Sequence, residues 1–319
     1  MTDPSQRPRT GRRIAHATRH KLVEVMRRQA KGARSRAPLV VGVSGYLGEL
    51  APETVAAVDW AAREADCRGI ELYVVSVVEW RSVPSWSRRA DNLVVAELQR
   101  FADAAVDAAL DLIEAHHADT VASGAVLRGD ALAVLRTLGS AAGAVVVGTR
   151  RLPRLGEILL GSLSAGLSAC APCPVIVVSD RAPGPGGVVV GVDEDNEAAL
   201  RFAADYAQLH RLELHALYAH APLLADERVF RGDADRWVHE TLAGVCTDYP
   251  DLAIRSSVHL HRTVETLLQE SREQRLLVVG RRHRSRYPAL HVGSVSQAVL
   301  HHAPCPVAVV PCGSPTARR

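Results

Sequence analysis

Residues 277–310 read LVVGRRHRSRYPALHVGSVSQAVLHHAPCPVAVV, and residues 145–178 read VVVGTRRLPRLGEILLGSLSAGLSACAPCPVIVV. The landmarks Gly148/Gly280, Gly161/Gly293, Ser162/Ser294 and Pro174/Pro306 are all 132 residues apart. A constant offset through glycines, a hydroxyl and prolines marks one folding unit present twice. In each copy an apolar β-branched run ends at a glycine. A loop follows, then Gly-Ser, then a helical pattern and a second apolar run.

Working outward, each copy alternates short Val-rich runs with helical periodicity. Copy one predicts strands at 38–43, 71–78, 120–126, 144–147 and 175–178. Its helices are expected at 53–63, 91–115, 131–141 and from 162. Copy two predicts strands at 188–192, 213–219, 254–260, 276–279 and 307–310, with helices at 197–209, 233–248, 264–274 and 294–302. Strand–helix alternation implies a parallel sheet with right-handed crossovers. The fold expected is α/β: two tandem Rossmann-like domains, each a five-stranded parallel sheet with helices on both faces. The domains are placed at 38–179 and 188–312. A basic extension (1–37), a Pro/Gly linker (180–187) and a tail (313–319) complete the chain.

Composition agrees. Hydrophobic residues make up 47% but aromatic residues only 4%, so the cores are built from Val, Ala and Leu, as buried parallel strands require. No apolar run is long enough to span a bilayer, and no apolar signal core follows the basic N-terminus, so a cytoplasmic protein without membrane contact is expected. Six cysteines in 319 residues are too sparse for a disulfide scaffold. Residues 1–36 hold eleven Lys/Arg against Asp3 and Glu24, a net +9 in a chain of +3, which leaves −6 on the remainder. Such an arm can touch nucleic acid, an anionic membrane or the body itself. With no aromatic residue between the arginines to stack on bases, a solvated arm, helical over 14–30, is the expectation rather than a nucleic-acid contact.

The segment 280–294 has the parts of a phosphate cradle. Gly280 lets the chain turn or approach a ligand closely. Gly293-Ser294 opens a helix, whose free N–H groups and positive dipole end suit an anion. Ser294 and Ser296 add hydroxyls, and Arg281, Arg282, Arg284 and Arg286 add cations. Copy one repeats this with Gly148, Gly161, Ser162, Ser164, Arg150, Arg151 and Arg154. The bland reading is an ordinary Ser-bearing helix start. Asp193 ends the first strand of copy two, where copy one has Ser44; such an Asp either accepts from a base or ribose or serves as a turn residue.

These blocks, with Val190-Gly-Val-Asp193, the helix 197–203 and Ala303-Pro-Cys-Pro-Val307, resemble the universal stress protein family in its tandem form, over residues 38–311. The resemblance implies an ATP site on the pattern Gly-x2-Gly-x9-Gly-Ser/Thr. Both copies match its first and third glycines and its hydroxyl, but Arg151 and His283 replace the second glycine, where a side chain either obstructs a phosphate or grips it. It also implies that Val192, Asp193 and Ala219 lie near adenosine, and Gly280, Gly293, Ser294 and Val295 along the phosphates. The counterparts in copy one are Val43, Ser44, Val77, Gly148, Gly161, Ser162 and Leu163. Arg262 stands where copy one has a glycine at 129; copy two is favoured because it keeps Asp193.

The resemblance further implies pairing of 175–178 with 307–310 inside the chain, and it allows a homodimer. The function expected is a stress-response regulator that binds ATP or a related adenine nucleotide, with Mg2+ as companion ion and a protein partner of unknown identity, rather than an enzyme. The alternative is a nucleotide-free interaction module with degenerate loops. Cys170-Ala-Pro-Cys173 has redox or zinc half-site spacing, yet copy two has His302 at the first position, so it reads as packing. His116-His117 and His301-His302 read as helix-end residues.

Overall fold

Val-rich runs form the strands because β-branched side chains fit a pleated surface buried on both faces. In this computed structural model the described residues are 11–13, 19–30, 37–46, 49–79, 88–151, 158–159, 161–193, 197–220, 227–260, 262–281 and 293–312. They divide into two compact units, Met1–Gly148 and Thr149–Arg319.

The first unit contains β1 (Gly11–Arg13), α1 (Arg19–Ala30), β2 (Leu39–Gly42), β3 (Gly45–Tyr46), β4 (Glu49–Leu50), α2 (Pro52–Arg68), β5 (Leu72–Val78), α3 (Arg88–His116), β6 (Ala122–Arg128) and α4 (Ala131–Gly139). β7 (Ala144–Arg151) runs out of it. The strand order is β1-β6-β5-β2-β7, all parallel. The core is aliphatic: Val40, Val41, Val74 and Val146 are fully buried. α2 stops at Arg68 because Gly69, at φ 62°, takes the left-handed cap. Asp130 starts α4 by accepting the Ala133 N–H at 2.7 Å.

The basic arm departs from the expectation of a solvated tail. β1 pairs with β6 along Gly11↔Ala122, Arg12↔Ser123 and Arg13↔Gly124. α1 packs on α4, burying Leu22, Val23 and Met26, and Arg27 donates to Ser140 Oγ at 3.2 Å. The charge count hid an amphipathic pattern: 22, 23 and 26 lie on one face of α1, and Lys21 and Arg27 are exposed. Pairing with β1 also covers an edge that β6 would otherwise expose.

The second unit contains β8 (Ile158–Leu159), α5 (Ser162–Cys170), β9 (Val175–Ser179), β10 (Val188–Gly191), α6 (Glu197–His210), β11 (Leu214–Ala219), α7 (Glu227–Asp248), β12 (Ile254–His259), α8 (Thr263–Glu270), β13 (Leu276–Arg281), α9 (Ser294–His302) and β14 (Val307–Pro311). β14, β13, β10, β11 and β12 lie side by side in parallel, the five strands expected of copy two. β9 adds to β14 antiparallel, Val307↔Val177 and Val309↔Val175, so the pairing expected of the two last strands is present. α8 is shorter than its periodicity suggested. Ser271 ends it by bonding back to Leu267 and Leu268, and Glu273 turns at φ 61°. Residues 180–187 lie inside this unit, held by Gly184 N–H to Gln274 O and Gly186 N–H to Glu273 O. A Cβ at Gly184 would sit 2.0 Å from the Glu273 oxygen, so this glycine is required by close approach. Among the described residues no helix is long and apolar enough to cross a membrane.

Candidate functional site

In the second unit, β10 lies between β11 on one side and β13 on the other, with connections leaving in opposite directions. The crevice beyond the carboxyl ends of such strands is where doubly wound sheets hold ligands. Three chain ends meet that edge. Val192 extends β10 and is buried, donating its N–H to Leu217 O at 2.8 Å, and Asp193 follows, half-buried. Ala219 ends β11, its carbonyl accepting from Thr263 Oγ1 at 2.7 Å. Gly280 lies near the end of β13, and its carbonyl accepts from Ser296 Oγ at 3.2 Å. That bond ties the first turn of α9 to the strand and explains why Ser296 is buried while Ser294 is exposed.

Gly293 is the N-cap of α9, and its carbonyl accepts the Gln297 N–H at 2.9 Å. The amides of Ser294, Val295 and Ser296 have no acceptor within the helix, and glycine has no side chain with which to cap them. The first turn holds no acidic residue. Gly293 has φ −54°, which any residue adopts, and among the described residues a Cβ there would meet nothing within 4 Å. Among the described residues no packing contact requires this glycine. α5 starts the same way: Gly161 has φ −62° and, among the described residues, open space, Ser162 is exposed, Leu163 half-buried and Ser164 buried.

The other residues of copy one are differently placed. In the first unit Val43 is buried and donates to Val75 O, Ser44 is exposed and its carbonyl accepts from Thr54 Oγ1, and Val77 is half-buried on β5. A Cβ on Gly148 would lie 2.5 Å from the Glu53 carbonyl oxygen, so packing of α2 accounts for that glycine. Arg151 ends β7. His283, Arg282, Arg284, Arg286 and Arg154 lie outside the described residues.

Arg281, expected among the phosphate cations, points elsewhere. It is buried, and Nη1 donates to Ala171 O at 2.8 Å and to Ser168 O at 3.4 Å. These carbonyls end α5, where unsatisfied oxygens and the negative end of the helix dipole attract a cation. Burial lowers the Arg281 pKa.

A second polar feature was not anticipated from the sequence. A cavity of about 630 Å³ runs along α8, bordered by His259, Arg262, Glu265, Thr266, Gln269 and Glu270. Beneath it His215 Nε2 lies 2.7 Å from Ser257 Oγ, and His259 Nε2 lies 3.2 Å from the same oxygen. His215 Nδ1 is 3.7 Å from Glu270 Oε2, too long for a hydrogen bond, and has no such partner among the described residues. Burial, helped by the positive charge of Arg255 and by His259, pushes the His215 pKa down to about 4. Copy one has Tyr73, Ala125 and Leu127 at the corresponding places. The detectable signal was a histidine in the buried part of β11, Leu214–Ala219, where copy one has Tyr73. Among the described residues no three His, Cys, Asp or Glu groups converge to hold a metal ion.

The model of the universal stress protein family matches residues 39–179 and again 187–311. The chain belongs to the universal stress protein family. Universal stress protein Rv2005c of Mycobacterium tuberculosis is 32% identical over 300 residues, covering 86% of this chain and 97% of its own. A second universal stress protein of that organism, Rv1996, is 29% identical over 305 residues, covering 85% and 94%. Among solved structures, a universal stress protein from Archaeoglobus fulgidus superposes with a TM-score of 0.66 at 18% identity, covering 86% of this chain and 98% of that one. The tandem α/β architecture is thus common to this universal stress protein and its relatives.

Proposed function

We propose that this universal stress protein binds an adenine nucleotide, ATP with Mg2+ as companion ion, at the β10–β13 edge of its second unit. It acts in the cytoplasm as a ligand-dependent regulator rather than as a catalyst. In this reading Val192, Asp193 and Ala219 surround the adenosine. The phosphates lie along Gly280, Gly293, Ser294, Val295 and Ser296, their charge met by main-chain amides, and Mg2+ arrives with them. The observation that carries the reading is Gly293. Among the described residues no side chain caps the helix amides beside it and nothing crowds it, and its backbone angles are ordinary, which supports a polyanion at this helix start.

One observation favours the alternative, a nucleotide-free interaction module: Arg281 is turned inward and its charge is removed from the ligand edge. Titration calorimetry with ATP and Mg2+ separates the two readings. Saturable binding, weakened by Asp193→Ala together with Gly293→Val, supports the first. No heat and no thermal stabilisation up to millimolar nucleotide supports the second.

A further inference from the structure

Arg281 contacts sequence neighbours of three of the six cysteines. Its guanidinium bonds to the Ala171 carbonyl, one residue after Cys170 and two before Cys173. Its backbone pairs with Pro311, one residue before Cys312. The β9–β14 ladder ends at Val309↔Val175, two residues after Cys173 and three before Cys312. Cys170 and Cys312 are partly exposed, whereas Cys173 is buried.

The repeat distinguishes these thiols. Cys173 has its duplicate in Cys305, also buried, so that pair belongs to the shared packing of both copies. Cys170 has His302 as its counterpart, and Cys312 has Asp180. Each is therefore unique to its copy, and each is next in sequence to a residue that Arg281 contacts. Reactive cysteines are partly exposed and stand next to positive charges.

We infer that Cys170 and Cys312 form a peroxide-responsive dithiol, which closes to a disulfide within the second unit. One thiolate attacks an oxygen of hydrogen peroxide, the O–O bond breaks and hydroxide leaves, giving a sulfenic acid. The second thiolate attacks that sulfur, the S–O bond breaks and hydroxide departs to be protonated. Two thiols and one peroxide become one disulfide and two waters; the sulfurs are oxidised and the peroxide reduced. The bond would fasten the end of β14 to the end of α5, around Arg281.

The test uses the full chain treated with hydrogen peroxide, blocked with iodoacetamide, digested without reductant and mapped by mass spectrometry. The expected product is a peptide pair joining Cys170 to Cys312, lighter by two hydrogens and released by dithiothreitol. It is lost in Cys170→Ser and in Cys312→Ser, and kept when the exposed Cys67 and Cys246 are both changed to Ser. Both thiols carrying the blocking group after oxidation, a Cys170–Cys173 link in their place, or separate over-oxidised residues would each overturn the inference. The wild-type map decides it even if a variant fails to fold, and the result does not depend on nucleotide binding.

Discussion

The Arg281 guanidinium donates to the Ala171 carbonyl oxygen at 2.8 Å, so a residue at the mouth of the glycine loop closes the far end of a helix from the other copy. Replacing Arg281 by Met keeps most of the volume and removes the donors. Stability should fall by about 1–3 kcal/mol, the cost of leaving buried carbonyls without partners. Because the charge does not face the ligand edge, ATP affinity should change by less than about threefold, roughly 0.7 kcal/mol. Urea unfolding alongside calorimetry measures both.

Two glycines of the same motif should respond oppositely. Gly293→Val places its Cβ in open space and should alter stability by less than about 1 kcal/mol, while ATP affinity falls tenfold or more, about 1.4 kcal/mol. Gly148→Val forces a Cβ to 2.5 Å from the Glu53 oxygen and should destabilise the chain by about 1–3 kcal/mol or more. Thermal melts of both variants with and without nucleotide give the comparison.

How far the sequence could be read is visible in these positions. The strand–helix order was legible because Val runs and helical periods are local. The glycine and hydroxyl landmarks were legible because duplication printed them twice. The direction of the Arg281 side chain was not, since it depends on carbonyls 110 residues away. Gly148 and Gly293 look alike in a motif, and the approach of Glu53 separates them. His215, Ser257 and His259 went unseen because β11 and β12 are brought together by a crossover that no short window spans.

His215 makes stability depend on acidity. Its pKa falls from 6.5 to about 4 on folding, so between those values the unfolded chain binds more protons than the folded one. The contribution is complete above pH 6.5 and is lost as pH falls through about 4, at most ~3 kcal/mol in all. His215→Gln removes the titrating group while retaining a donor toward Ser257. Denaturant midpoints between pH 7 and 4 should decline less steeply for that variant.

The N-terminal arm should behave as part of the first unit. Leu22→Ala deletes a fully buried side chain and should cost about 2–5 kcal/mol by equilibrium unfolding. Removing residues 1–36 should lower stability by more than that single change and leave salt-dependent DNA retention unaltered.

Because β9 is bonded to β14, the seam between repeated sequences is not a seam between folding bodies. Expressing residues 180–319 by themselves would strip one margin of β14 and leave a raw apolar ribbon, prone to recruit a neighbour. Attempts to harvest the later repeat as a free-standing module should therefore begin near Thr149, upstream of the Pro/Gly stretch that invites the cut.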